Sequence, residues 1–272
     1  MSAELLSVVI ITYNEEKNIE RCLDSVRGIA DEIIILDSFS TDNTVAIATA
    51  KGAKVYQQKF IGFIAQKNDA LELATHDYIL SLDADEELDN ELKKSILKAK
   101  KGFAYKAYKM RRCANYCGKF IRYGTWYPDP KVRLFDKRLL RWGGLDPHDK
   151  IVVPPNIAIS PLKGEILHYS YYTIEQHVRR SNNFSTLAAK SLYKAGKKAN
   201  LVKIIASPAW SFINGYILHA GFLNGKYGWA IAIHQARYHF LKYSKLYKLQ
   251  KNKNLVVENN KITSSTSAQQ SI

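Results

Sequence analysis

The chain has 272 residues, of which 40 are lysine or arginine and 25 are aspartate or glutamate, so its formal net charge is +15. This length suits one large domain, or a domain with a substantial appendage, and the charge favours polyanionic partners without choosing among nucleic acid, phosphorylated substrates and anionic lipid. Three cysteines exclude a disulfide framework, and the spacing of Cys113 and Cys117 lacks the second pair that a zinc site needs, so we expect reduced thiols in the cytosol. The first residues carry no basic region ahead of their apolar run, and we expect no signal peptide.

The first half alternates short apolar runs with amphipathic segments. Strands are predicted at residues 6–11, 33–36, 54–56 and 78–82, because each run is short and rich in β-branched or aromatic side chains. Helices are predicted between the strands, with Asn14 and Ser40 as the N-terminal caps of the first two. This βαβαβαβ order predicts an α/β fold with an open, mostly parallel, doubly wound sheet of the Rossmann-like kind.

Polar residues follow three of these strands. They are residues 12–15, Asp37 with Ser38, and residues 83–85. An open parallel sheet binds ligands at the carboxyl ends of its strands, so these clusters are expected at one edge. Neither GxGxxG nor GxxxxGK[ST] is present, which excludes a typical nicotinamide oxidoreductase or P-loop NTPase.

Asp83 and Asp85 are separated by one residue at the end of the fourth predicted strand. Residues i and i+2 of an extended backbone point to the same side, so the two carboxylates are expected to hold a cation, Mg²⁺ or Mn²⁺, shared with substrate phosphates. The alternative is an acidic loop that caps the helix beginning near Asn90.

The ordered motifs resemble family 2 glycosyltransferases of the GT-A fold, in the branch that contains lipopolysaccharide-core β-1,4-glucosyltransferases. The resemblance covers roughly residues 6–247 and is carried by SVVIITYNEEKNIERCLDSV, DEIIILDSFSTDNT, QKNDALELATHDYILSLDADE, KVRLFDK, LDPHDKI and ILHYSYYTIEQHVRRSNNFS. It implies a UDP-sugar donor and a glycolipid acceptor.

The resemblance also implies roles for individual residues of the donor site. Asp37 is expected to bind the uracil or its ribose, and Lys67 to lie near the diphosphate or uracil, although the residues alone also allow a solvated helix lysine there. Asp83 and Asp85 are expected to bind the metal, directly or through water, while Ala84 passes close to the ribose. The nucleotide pocket is expected to be lined by Thr12, Tyr13, Asn14 and Glu15.

The acceptor site is expected in the second half. An inverting transferase needs a carboxylate to take the proton of the acceptor hydroxyl. The related enzymes have a His-Glu pair where this chain has His148 and Asp149, so Asp149 is our candidate base and Asp146 the second choice. Arg133 is a candidate partner for a phosphate or for an internal acid, and Trp126 is a candidate stacking platform for a sugar or an ordinary packing residue.

Three further polar residues are open to two interpretations. His168 is a candidate third ligand of the metal beside Asp85, or a structural histidine at the end of a strand. Arg179 and Arg180 lie on a helix predicted from Thr173. One interpretation is that they contact the diphosphate or an anionic acceptor, and the other is that they form a basic face exposed to solvent.

The last third of the chain changes in character. Residues 204–225 contain no Asp, Glu, Lys or Arg, which approaches the length of a membrane span, but Pro208 and Asn214 interrupt the apolar run. Residues 226–251 mix aromatic side chains with cations, a pattern typical of helices at an anionic membrane surface. A true span, or helices packed on the catalytic domain, are the alternatives.

Three regions are therefore predicted. A GT-A catalytic domain covers residues 1–172, with a nucleotide-sugar half at 1–100 and an acceptor half at 101–172. A basic, aromatic and helical region that associates with the membrane covers 173–251, and a polar, disordered tail covers 252–272.

The expected function is the inverting transfer of a hexose from a UDP-sugar to a lipopolysaccharide inner core, and the expected hexose is glucose. The expected location is the cytoplasmic side of the cell membrane, with peripheral attachment. The alternatives are a metal-dependent nucleotidyltransferase and a basic nucleic-acid-binding protein. No recognised nucleic-acid-binding motif is present, and we expect no nucleic acid partner.

Overall fold

A computed structural model describes the backbone of residues 4–145 and 148–269, and the side chains of these residues except those of 145, 148 and 252–269. The chain forms two compact units. The first comprises the residues up to Asn115 together with Trp126–Ser170, and the second comprises Tyr116–Thr125 and the chain from Tyr171 onward.

The first unit is built on a mixed sheet that begins with four parallel strands. Its strands are β1 Leu6–Thr12, β2 Glu32–Asp37, β3 Lys54–Gln57, β4 Tyr78–Asp83, β5 Glu86–Leu88, β6 Ala107–Tyr116, β8 Asp129–Asp136 and β11 Ile159–Tyr171. The parallel strands have the order β3–β2–β1–β4, and β8, β6, β11 and β5 continue the sheet beyond β4. The pairs β4–β8, β8–β6 and β11–β5 are antiparallel. The predicted α/β fold is confirmed, with its parallel part confined to the first four strands.

Helices cover the parallel strands, and a small hairpin lies near the third helix. The helices are α1 Ile19–Val26, α2 Thr44–Ala50, α3 Phe63–Leu73 and α4 Asn90–Ala99. The hairpin pairs β9 Arg141–Leu145 with β10 His148–Val152. It is fixed to α3 by two hydrogen bonds between the Asn68 amide and the backbone of Trp142, each 3.0 Å long.

Alternating side chains of the central strands supply the two sides of the core. Val8, Ile10 and Leu80 belong to one buried cluster, while Val9 and Ile79 belong to the other. Successive residues of a strand point to opposite faces, so near-continuous apolar runs are expected of strands that are buried on both sides.

Two predicted helix caps are wrong. Helix α1 begins at Ile19, not directly after Asn14, and Asn14 adopts a left-handed conformation with a φ of 54°. Its side-chain oxygen accepts a hydrogen bond of 2.8 Å from the backbone N–H of Thr41. Ser40 does not cap α2, because its hydroxyl and backbone N–H both donate to the carboxylate of Asp37. Both side chains therefore join neighbouring loops instead of starting helices.

The second unit is helical, apart from the short strand β7 Lys119–Phe120. Its helices are α5 Ile174–Lys194, α6 Leu201–Phe212, a π-helical segment Ile213–Leu218, a 3₁₀ turn Gly221–Asn224 and α7 Lys226–Gln269. The helix predicted from Thr173 begins at Ile174, and the hydroxyl of Thr173 caps it by accepting a hydrogen bond from the backbone N–H of Gln176. The disordered tail predicted for 252–272 stays a prediction: the backbone of α7 is helical to Gln269, and the side chains there lie outside the described residues.

Candidate active site

The carboxyl ends of β1, β2 and β4 lie at one edge of the sheet, as predicted. Thr12 pairs in register with Asp37 on β2, and Ile11 pairs with Asp83 on β4. A cavity of about 1170 Å³ opens at this edge. Ten of the predicted site residues line it, and all belong to the first unit: Thr12, Tyr13, Glu15, Lys67, Asp83, Ala84, Asp85, Arg133, Asp149 and His168.

Lys67 connects the acidic pair to the candidate base. Its ammonium nitrogen lies 2.9 Å from Oδ1 of Asp83 and 2.7 Å from Oδ2 of Asp149, and its side chain is only 5 % exposed. The three residues come from α3, β4 and β10, which are far apart in sequence. A buried lysine requires such partners, so the alternative of a solvated helix lysine is excluded.

Arg133 holds the other side of Asp83. Its Nη2 donates to Oδ2 of Asp83 at 2.8 Å and to Oε1 of Glu86 at 3.0 Å. Arg112 adds a contact of 3.3 Å to the same oxygen of Glu86. Glu86 also accepts the backbone N–H of Asp83 at 3.0 Å through its second oxygen. Arg133 therefore pairs with two internal acids, Asp83 and Glu86.

These contacts set the charge of Asp83. Burial raises the pKa of this carboxyl, but the nearby charges of Arg133 and Lys67 and their hydrogen bonds outweigh burial and hold the pKa well below its usual range. Burial opposes the charge of Arg133, yet Asp83 and Glu86 raise its pKa. Asp83 is therefore an anion and Arg133 a cation throughout the physiological range.

Asp85 has a different environment from Asp83. Its Oδ2 lies 3.2 Å from Nε2 of His168, whose Nδ1 faces the hydroxyl of Ser170 at 2.9 Å. A carboxylate oxygen and an imidazole nitrogen this close can share one Mn²⁺ or Mg²⁺ ion. No group of three metal-ligating side chains occurs in the part of the chain that the structure describes. The pair Asp85 and His168 fits a cation whose other ligands are water and ligand oxygens, while both oxygens of Asp83 already accept hydrogen bonds from cations.

Several buried polar atoms around the cavity have no hydrogen-bond partner among the described residues. They are Oγ1 of Thr12, Nε and Nη1 of Arg133, and Nε1 of Trp142. Buried donors are nearly always satisfied in folded proteins. These atoms therefore mark unsatisfied hydrogen-bonding capacity in residues that line the cavity.

Trp142 supports both cations of the site. Lys67 Nζ lies 4.2 Å from the centre of its ring, and Cζ of Arg133 lies 5.2 Å from it. The indole is 5 % exposed, so the two cation–π contacts are largely shielded from water.

Asn14 and Asp37 organise the loops of the nucleotide edge. Asp37 is fully buried, and its carboxylate accepts hydrogen bonds from Ser40 and from Nε2 of Gln57, the latter at 3.1 Å. The backbone N–H of Asn14 donates to the hydroxyl of Ser40 at 2.8 Å. Neither residue is among the described residues that line the cavity, and their contacts with a nucleotide stay predictions.

The remaining predicted residues are not brought to the cavity by the described contacts. Trp126 does not line it. Arg179 and Arg180 lie on α5 of the second unit, where Cζ of Arg180 is 5.3 Å from the ring centre of Tyr171. Asp146 and the side chain of His148 lie outside the described residues.

Sequence reasoning missed Glu86, Arg112 and Trp142. Glu86 had a signal, because it directly follows the acidic pair, but nothing local indicated that it turns inward to Arg133. Trp142 and Arg112 gave no signal, because their roles depend on strands that meet only in the folded sheet.

Comparison with known proteins gives a consistent family assignment. A family model described as glycosyl transferase family 2 matches residues 7–158. A protein of Rickettsia typhi described as an uncharacterized glycosyltransferase is 34 % identical over 269 residues, covering 94 % of this chain and 92 % of that protein. The lipopolysaccharide core biosynthesis glycosyltransferase LpsC of Rhizobium meliloti is 28 % identical over 257 residues, covering 89 % of this chain and 92 % of that protein.

Two solved structures are similar to this chain. One is S. aureus TarS in complex with UDP, with 16 % identity, a TM-score of 0.45 and coverage of 92 % of both chains. The other is glucosyl-3-phosphoglycerate synthase from Mycobacterium tuberculosis in complex with Mn²⁺, UDP-glucose and phosphoglyceric acid. It is 29 % identical, with a TM-score of 0.33 and coverage of 39 % of this chain and 43 % of that chain.

Proposed function

We propose, from the premise that the chain belongs to glycosyltransferase family 2, that it transfers a hexose from a UDP-sugar to a glycolipid. The proposed hexose is glucose, and the transfer inverts the configuration at the anomeric carbon. The observation that carries the proposal is the bridge formed by Lys67 between Asp83 and Asp149 on the wall of one cavity. It connects a carboxylate at the nucleotide edge of the sheet to a carboxylate suited to proton transfer. Family membership sets aside the nucleotidyltransferase and nucleic-acid-binding alternatives.

The donor's diphosphate is proposed to lie beside Asp85, Lys67 and Arg133. Lys67 and Arg133 both line the cavity and provide positive charge there, which supports an anionic ligand such as a diphosphate. Asp85 and His168 would hold the divalent cation, Mg²⁺ or Mn²⁺, and a bound cation supplies Lewis-acid stabilisation of the leaving diphosphate.

Asp149 is proposed as the base. The acceptor's hydroxyl oxygen attacks the anomeric carbon from the face opposite the diphosphate, and its proton passes to a carboxylate oxygen of Asp149. The bond between the anomeric carbon and the phosphate oxygen breaks, and its electron pair leaves with UDP. Lys67 contacts Asp149 at 2.7 Å, so it orients this carboxylate before the acceptor arrives.

The acceptor is proposed to be the lipopolysaccharide inner core, at the cytoplasmic face of the membrane. The similarity to LpsC over 89 % of this chain supports this class of acceptor. A glycolipid acceptor requires an enzyme that works at a membrane surface, and we propose peripheral attachment.

The test is a panel of nucleotide sugars assayed for UDP release with a membrane glycolipid extract. We expect release from UDP-glucose that depends on the extract, and the product analysis should find UDP without pyrophosphate. Pyrophosphate as the product, or no dependence on any glycolipid, would contradict the proposal.

The base assignment is tested with matched variants. Asp149→Asn should abolish transfer and leave UDP affinity nearly unchanged, whereas Asp149→Glu, which restores the family's glutamate, should retain activity. Asp24→Asn makes the same chemical change at a surface ion pair with Lys51, and should have no effect. Unchanged turnover of Asp149→Asn would reject Asp149 as the base.

A further inference from the structure

The second unit exposes an unusual number of large apolar side chains. In α6, the π-helical segment and the 3₁₀ turn, Ile205 is 73 % exposed, Trp210 61 %, Ile217 54 %, Leu218 60 % and Phe222 48 %. The 18 residues Leu201–Leu218 are apolar and long enough to cross a membrane, and only 6 % of them are buried. A core helix of a soluble protein would be mostly buried, so this surface requires an apolar partner.

This surface belongs to an antiparallel pair formed by α6 and the first part of α7, which we call the apolar hairpin (residues 201–239). Ser207 Oγ lies 3.0 Å from Nδ1 of His239 on α7, and the Phe212 and Trp229 rings are 5.4 Å apart. A Cβ on Gly228 would come within 1.9 Å of the backbone oxygen of Gly221, which shows how closely the tip is packed. The two helices of the hairpin therefore contact each other directly, and the exposed apolar side chains of α6, the π-helical segment and the 3₁₀ turn are not the ones that make these contacts.

The charge of this region indicates what covers the apolar surface. Residues 176–257 contain 14 lysines and arginines and no aspartate or glutamate. A second copy of the chain would bring the same uncompensated charge to the interface, which is unfavourable. An anionic bilayer offers both an apolar interior and negative headgroups.

A complete crossing is disfavoured by the helix that lies beside α6. Helix α7 contacts Ser207 of α6 through His239, and it carries Arg237 and Lys242 on either side of that residue. Each of these charges would cost roughly 2.5–3.5 kcal/mol in the centre of a bilayer. The tip of the hairpin, residues 210–225, contains no Asp, Glu, Lys or Arg. Only the tip is therefore suited to the acyl region.

We propose that the tip of the apolar hairpin, residues 210–225, enters one leaflet of an anionic bilayer, while the lysines and arginines of residues 176–251 bind the headgroups. This inference specifies the attachment surface that the proposed function requires. It is tested by lipid binding alone, so its failure and that of the transfer reaction are distinguishable.

The experiment is co-sedimentation of the full chain with vesicles of phosphatidylcholine and phosphatidylglycerol, compared with phosphatidylcholine alone. We expect binding to the mixed vesicles that weakens as salt is raised. The double variant Ile217→Glu/Leu218→Glu should weaken binding at least about tenfold, because two exposed apolar side chains no longer enter the lipid. Leu139→Glu is the matched control, since Leu139 is 52 % exposed in the first unit, and its binding should be unchanged.

Three results would overturn the proposal. The first is equal binding by the double variant, with circular dichroism confirming that it is folded. The second is a lipid-free dimer of the parent chain that the double variant abolishes, which would assign the surface to a second copy. The third is retention of bound protein in the vesicles after alkaline carbonate extraction, which would indicate a full span.

Discussion

The two units differ in whether their lysines and arginines have carboxylate partners. In the first unit, the cations at the cavity face carboxylates within hydrogen-bonding distance, as Lys67 does with Asp83 and Asp149 and Arg133 does with Glu86. In the second unit, residues 176–257 contain no carboxylate side chain that could neutralise the lysines and arginines. Charges compensated inside the protein give a fixed geometry for a small ligand, whereas uncompensated surface charges attract an extended anionic partner.

The largest expected effect comes from breaking the compensated network. Arg133→Met leaves Glu86 and Asp83 without their shared cation, and Glu86 is only 1 % exposed. Removing one partner of a buried ion pair costs about 3–5 kcal/mol of unfolding free energy. Urea denaturation should show a loss of this size.

The control for Arg133 is an ion pair on the surface of the same unit. Arg141→Met removes the contact between Arg141 and Glu72, whose side chains are 46 % and 64 % exposed. Such pairs contribute less than about 1 kcal/mol. Equal losses for the two variants would mean that the network at the cavity has no special role in stability.

The second unit contains a different case, a histidine that is buried beside a second histidine. His177 is 3 % exposed, Nδ1 lies 3.1 Å from the hydroxyl of Tyr116, and the ring centre is 5.1 Å from that of His234. Burial, and then the charge of His234, lower the pKa of His177 to about 4 from its usual 6.5. The folded protein therefore keeps this imidazole neutral.

The pH dependence follows from the direction of this shift. Between pH 4 and 6.5 the unfolded chain binds more protons at His177 than the folded chain does, so its contribution to stability is complete above pH 6.5 and is lost as the pH falls toward 4. The loss amounts to roughly 3 kcal/mol. His177→Phe should flatten the stability profile in this range, and a curve unchanged from that of the parent chain would contradict the assignment. His219→Phe, at an exposed position, is the control.

A smaller effect is expected at the cation pair of the first unit. Asp85→Asn removes a negatively charged ligand, so the increase in UDP affinity that Mn²⁺ produces should fall at least about tenfold, or 1.4 kcal/mol. Calorimetry of UDP binding with Mn²⁺ and with a chelator measures this difference. Asp129→Asn is the control, because Asp129 pairs with Arg112 and Lys131 and does not line the cavity. Undiminished Mn²⁺-assisted affinity in Asp85→Asn would contradict the cation site.

Local patterns predicted the parallel strands and the edge at which the polar clusters meet. The apolar runs that became β1 and β4 are continuous in the sequence, so their burial did not depend on distant residues. The roles of Asn14 and Ser40 were mispredicted because Asn14 bonds to Thr41 on another loop and Ser40 bonds to Asp37 at the end of β2. The contact between Lys67 and Asp149, which are 82 residues apart, required the hairpin β9–β10 to fold back toward α3.

The smallest expected effect distinguishes the exposed apolar surface of the second unit from its core. Ile217→Ser, at a position that is 54 % exposed, should change the free energy of unfolding in lipid-free buffer by less than about 0.5 kcal/mol. Leu246→Ala, at a fully buried position that packs with Ala189, should cost about 2–5 kcal/mol. Urea denaturation of both variants measures the contrast. A large loss for Ile217→Ser would mean that this side chain is part of the folded core, and the surface would then no longer require a bilayer to cover it.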